Sequence, residues 1–109
     1  MNNILKEVMT NLGTFCEETP EQMKAFHGFM EAVEKEGKLS KKTKELIALG
    51  SAITTHCEWC IALHVKGALD AGASREEILE AGWVATLMGG GPALMYFQYV
   101  LKALEDFRK

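Results

Sequence analysis

Apolar positions recur at helical spacing in one segment after another along the chain. Ile4, Leu5, Val8, Leu12 and Phe15 form a stripe three and four residues apart, which predicts a first amphipathic helix. Thr19, Pro20 and Gln22 predict the start of a second: a hydroxyl for the N-cap, a proline in the first turn and a glutamine to close a capping box. Its apolar face is Met23, Phe26, Met30 and Val33, and Gly37 is the expected stop. Ser40 is placed to cap a third helix carrying Leu46, Ile47, Leu49 and Ile53, and a fourth holds Cys57 and Cys60 and ends at Gly72. Ser74 and Glu77 make a second capping box, opening a fifth helix through Ile78, Leu79 and Val84 up to Gly89, Gly90 and Gly91. The sixth follows Pro92, with Leu94, Phe97, Leu101 and Leu104 on one face and Tyr96, Val100 and Phe107 close by. No segment sustains the alternation of a strand. The expected fold class is therefore all-α: a compact bundle of about six helices, forming a single domain over residues 1–109.

The third, fifth and sixth helices are apolar around more than one face. A helix of that kind must be buried on several sides, and one short chain cannot wrap three of them. Self-association into a symmetric homo-oligomer is the expected remedy. A charge-free run from Ala81 to Leu101 is long enough to span a bilayer. Gly89 to Gly91 and Pro92 interrupt it, so it reads as two helices of a protein with no membrane partner.

Composition narrows the class further. The 109 residues are 48% hydrophobic, too apolar for a disordered tail, and carry 12 Lys plus Arg against 15 Asp plus Glu, a formal charge of −3. That balance offers no dense basic face for nucleic acid. The run Lys38, Lys41, Lys42 and Lys44 reads as a solvated helix start. The three cysteines, Cys16, Cys57 and Cys60, are an odd number, and the opening residues lack the pattern of a secretory signal. The expected setting is the reducing cytoplasm, where a C-x-x-C pair is catalytic or metal-binding more often than a structural staple.

Chemistry concentrates in the stretch from Glu45 to His64. With a helix starting at or just before Cys57, the residues Cys57, Cys60 and His64 fall on a single face. Two cysteines in one helical turn can reach the separation a disulfide prefers, and the helix N-terminus favours a thiolate there. His64, one turn beyond Cys60, can accept its proton. Helix position by itself favours Cys57 as the more activated thiol. If the third and fourth helices form an antiparallel hairpin about Thr55, Glu45 falls level with His64, which suggests a proton relay from Glu45 through His64 to Cys60.

Other readings of these residues exist. A zinc site needs four ligands close together, whereas Cys57 and His64 would stand about 10.5 Å apart along a helix axis and no second C-x-x-C is present. Covalent haem attachment needs a His directly after the second cysteine, where Ile61 stands. The thioredoxin fold needs βαβ units. The triple glycine follows no strand, so it is no phosphate loop. His27, His56 and Cys16 are read as structural or surface residues, Trp59 and Trp83 as packing residues and the methionines as core filler. Trp59, lying between the thiols, can also shield or shape the site.

A Glu twelve positions before a C-x-x-C, with a His four beyond the second Cys, resembles the alkylhydroperoxidase D-like branch of the carboxymuconolactone decarboxylase family. The segment HVKGALDAGASREEILEA is similar to that family too, and the resemblance runs from about Met23 to Phe107. It implies an all-helical protein, commonly a homotrimer or homohexamer, that reduces hydroperoxides or disulfides through its thiol pair. Carried over, it makes Cys60 the attacking thiol and Cys57 the resolving thiol, with His64 and Glu45 moving protons. No bound cofactor or metal is implied, only an external dithiol reductant. The decarboxylase branch generally lacks the thiol pair, so a non-redox lactone enzyme is one alternative. A helical oligomer with a structural zinc or redox-sensing C-x-x-C is another. The chain departs from well-known peroxidase members in having one unit rather than two related halves. It also has Trp59 where some of them have a His.

Overall fold

The computed structural model describes residues 1–107, and every regular element among them is a helix. In chain order these are α1 (Asn2–Glu18), α2 (Pro20–Glu34), α3 (Lys41–Thr54), α4 (Glu58–Asp70) and α5 (Arg75–Phe107). The fold is all-α. The expected fifth and sixth helices follow one another directly as the two limbs of α5, which meet at a kink at Gly90. There the backbone takes φ 69° and ψ −153°, a conformation that glycine enters without a Cβ clash. One residue absorbs the whole change of direction, and helical bonding resumes through Pro92. The two limbs, 75–89 and 91–107, close against each other where Gly82 leaves room for the Phe97 ring. Among the described residues no helix is long and apolar enough to cross a membrane.

The core is built by α3, α4 and α5. Leu49 and Ile53 on α3, Ile61 and Val65 on α4, and Ile78 and Val100 on α5 are completely buried and belong to one cluster. Helices α3 and α4 form the antiparallel hairpin expected from the sequence, turning at Thr55 and His56. Helix α1 lies outside this trio, against α4 and α2, and buries none of its residues fully. Met23 is the buried residue of α2, while Phe26 and Val33 from the same stripe are exposed.

The helix ends follow the side chains available. The Ser40 hydroxyl accepts from the Thr43 N–H at 3.1 Å. Ser74 and Glu77 form the reciprocal box: the Ser74 N–H donates to Glu77 at 2.9 Å and the Glu77 N–H to Ser74 at 3.1 Å. The box expected at Thr19 does not form, because its hydroxyl donates backward to the Phe15 carbonyl at 2.9 Å and closes α1 instead. Helix α2 stops at Glu34, short of Gly37. At its C-terminal end, Lys44 donates to the Val33 carbonyl at 2.7 Å and also to that of the C-cap Lys35. Lys42 meets Glu77 at 2.8 Å. Two members of the basic run thus tie elements together rather than sitting free in water.

Candidate active site

The hairpin positions every residue that the sequence singled out. Cys57 is the N-cap of α4, in an extended conformation, and its Sγ accepts the Cys60 N–H at 3.1 Å. The two sulfurs are joined in a disulfide, with Cα atoms 5.2 Å apart. Helix α4 therefore begins one residue past Cys57, with the bridge closing its first turn. An N-cap sulfur facing unpaired amide donors is the arrangement that stabilises a thiolate on reduction.

Glu45 is the one buried charged residue among those described, with 6% of its surface exposed. Burying a carboxylate is costly unless it is bonded, and this one meets His64 Nδ1 at 3.2 Å through Oε2. Register explains the pairing, since the two residues lie nearly equally far from the turn at Thr55. Room for the carboxylate comes from Gly67 on α4: a Cβ there would collide with Glu45 Oε2 and Cδ. His64 is partly exposed and follows Cys60 by one turn of the same helix. A cavity of about 280 Å³ opens beside the pair. Both Glu45 and His64 line it, with Met30, Glu34, Lys41, Leu63, Gly67, Asp70 and Ala71 around them, while neither cysteine does. The carboxylate–imidazole pair thus reaches solvent by its own route, one helical turn from the sulfurs.

Sequence reasoning missed what surrounds the other side of the bridge. His56, read as a structural or surface residue, has φ 59° and stacks on Tyr96 with ring centroids 4.6 Å apart and planes 11° apart. Tyr96 in turn meets Tyr99 at 5.7 Å. The Glu58 carboxylate, between the cysteines, raises the pKa of the Tyr99 phenol and so favours its protonated form. A residue between a helix end and an N-cap was a usable signal for a left-handed position, but nothing local announced its ring partner on α5. Trp59 and Trp83 are both exposed, although Trp83 rests edge-on against Phe97 at 5.4 Å. Met9, Met88 and Met95 are exposed too, so only part of the methionine set fills core. Cys16 is an exposed free thiol on α1.

With this geometry in place, the carboxymuconolactone decarboxylase family model matches residues 20–106. The chain belongs to the carboxymuconolactone decarboxylase family. The matched span takes in the hairpin, the thiol pair and both limbs of α5. Within the family, a Legionella pneumophila protein has a crystal structure that superposes with a TM-score of 0.95 at 44% identity, covering 99% of this chain and 96% of that one. A Thermotoga maritima family protein, suggested to take part in an antioxidative response, superposes with a TM-score of 0.85 at 32% identity over 95% of this chain and 89% of its own. Among sequence relatives, an uncharacterised protein of the Paracoccus denitrificans cox locus is 44% identical over 82 residues, covering 75% of this chain and 74% of the relative.

Proposed function

We propose that this carboxymuconolactone decarboxylase family chain is a thiol-dependent peroxidase or disulfide oxidoreductase of the alkylhydroperoxidase D type. The observation that carries the reading is one helix holding Cys57 and Cys60 in its first turn and His64 one turn on, hydrogen-bonded to a buried Glu45. In the first step the Cys60 thiolate attacks the distal oxygen of a hydroperoxide. The O–O bond breaks, Cys60 becomes a sulfenic acid, and the leaving alkoxide takes a proton from His64, which Glu45 holds in orientation. The Cys57 thiolate, favoured by the α4 amides, then attacks the Cys60 sulfur, and the displaced hydroxide leaves as water after protonation. An external dithiol attacks the resulting disulfide, is oxidised to its own disulfide and returns both thiols. Summed, hydroperoxide plus dithiol gives alcohol, water and the oxidised dithiol, with no bound cofactor in the cycle.

The lactone alternative is disfavoured by charge. The cavity beside Glu45 and His64 offers one amine, Lys41, with Glu34 on the same wall, and its Asp70 is already paired with Lys66 at 2.9 Å, so it holds no surplus of positive charge for an anionic lactone acid. For the zinc alternative, no group of three or more His, Cys, Asp or Glu converges among the described residues. The setting we propose is the cytoplasm, and the working assembly a homotrimer or homohexamer, without nucleic acid or membrane partners.

The test is to reduce the protein, remove the reductant, add an organic hydroperoxide and follow peroxide loss together with intact mass. Stoichiometric peroxide loss with formation of the Cys57–Cys60 disulfide is expected, and Glu45→Gln should slow it by about 10²-fold or more. Free thiols in untouched peroxide would overturn the peroxidase reading.

A further inference from the structure

We infer that Tyr96 is a positioning residue for the thiol pair, acting through its stack on His56. This inference rests on the redox reading of Cys57 and Cys60. It begins with how α3 ends. The His56 N–H donates to the Ile53 carbonyl at 3.2 Å and the Cys57 N–H to the Ala52 carbonyl at 3.0 Å. These are the paired bonds of a helix terminus that needs its middle residue in the left-handed region, a position ordinarily taken by glycine. His56 occupies it at φ 59° and, among the described residues, is the one non-glycine with a positive φ. Glycine would meet the backbone requirement more easily. What glycine could not supply is a ring for Tyr96 to hold, and the imidazole lies face to face on that phenol.

The consequence falls on the next residue. Cys57 is the extended joint between two helices: α4 holds its carbonyl and sulfur, through the Ile61 and Cys60 N–H groups, while its own N–H is held by the terminus of α3, which thus shares in setting where its Cα–Cβ bond points. Cys60 needs no such help, being carried by α4 itself. An aromatic residue on the far limb of α5 thus grips the residue before Cys57 and holds its sulfur over the first turn of α4, where Cys60 waits. The stack raises the effective concentration of one sulfur at the other. Loosening it leaves both thiols in place while making their union less favourable.

The readout is the dithiol–disulfide equilibrium of the full chain in dithiothreitol buffers of graded ratio, quenched by alkylation. Peptide mass mapping separates Cys57 and Cys60 from Cys16. Tyr96→Leu and His56→Asn should each move the equilibrium toward the dithiol by about tenfold. Asparagine tolerates the left-handed position, so His56→Asn is expected to fold even if Tyr96→Leu does not. Tyr96→Phe keeps the stacked ring and should behave as wild type, a rescue that a hydrogen-bonding role for the phenol would forbid. A folded His56→Asn or Tyr96→Leu variant with the wild-type equilibrium overturns the inference and leaves the redox reading standing. A wild-type chain that forms no Cys57–Cys60 disulfide at any ratio overturns both.

Discussion

Glu45 would pass for a solvent-exposed residue of a first helical turn if it stood alone in the sequence. Its register across the hairpin from His64 was legible, because distance from a turn is a count that the chain itself supplies. Its burial was not, because that depends on Gly67, whose missing side chain makes the pocket for the carboxylate. A methyl at position 67 has two opposed effects. Alanine favours α4 by about 1 kcal/mol through propensity, yet it also pushes the carboxylate away from His64. Gly67→Ala should therefore change thermal stability little while slowing peroxide-driven disulfide formation by about tenfold to a hundredfold. Stopped-flow kinetics beside a melting curve checks this. An unchanged rate would mean that the close approach is packing alone.

Among the elements, caps and breaks differ in how plainly sequence declares them. The Ser74–Glu77 box is local, and it forms as its spacing requires. Thr19 belongs to two helices at once, and pattern could not say which would claim its hydroxyl; α1 does. The glycine run before Pro92 announced an interruption. That bonding would resume past a single turned residue follows from tertiary packing of the two limbs. Glu77 shows an element contact with a pH signature. Its carboxylate accepts from Lys42 and from the Ser74 amide, and Lys42 foremost holds its pKa below the ordinary 4.5. A folded value below the unfolded one means a stabilising contribution present above pH 4.5 and lost as pH falls through the lowered folded value. Glu77→Gln should therefore narrow the gap between melting temperatures at neutral pH and at pH ~3. Scanning calorimetry at both pH values measures it, and an equal gap in the two proteins would assign the acid sensitivity elsewhere.

At the scale of the molecule, the apolar surplus read from the sequence is present in three dimensions. Leu87 and Met88, 81% and 78% exposed, stand at the end of the first limb of α5. Beside them a groove of about 450 Å³ runs between that limb and α3, with Ile47, Val84 and Met88 in its lining. Periodicity identifies which faces are apolar but not what covers them, which is why Trp83 and Met88 passed for interior residues. If the proposed homotrimer or homohexamer forms, wild type should sediment at a multiple of three protomer masses. Replacing both Leu87 and Met88 with Lys should release protomers, because buried charge without a partner is strongly disfavoured. Analytical ultracentrifugation decides between this and a wild-type monomer at every concentration, which would contradict the assembly.

The bridge at the start of α4 joins residues separated by three in sequence. By chain entropy a loop that short restrains the unfolded chain by about 2 kcal/mol, against about 4.7 for one closing a hundred residues. The buried cluster of α3, α4 and α5 has neither cysteine among its fully buried residues, so most of the fold's cohesion comes from contacts other than the bridge. On the proposed redox cycle, breaking and remaking the bridge is therefore expected to disturb the chain's shape little.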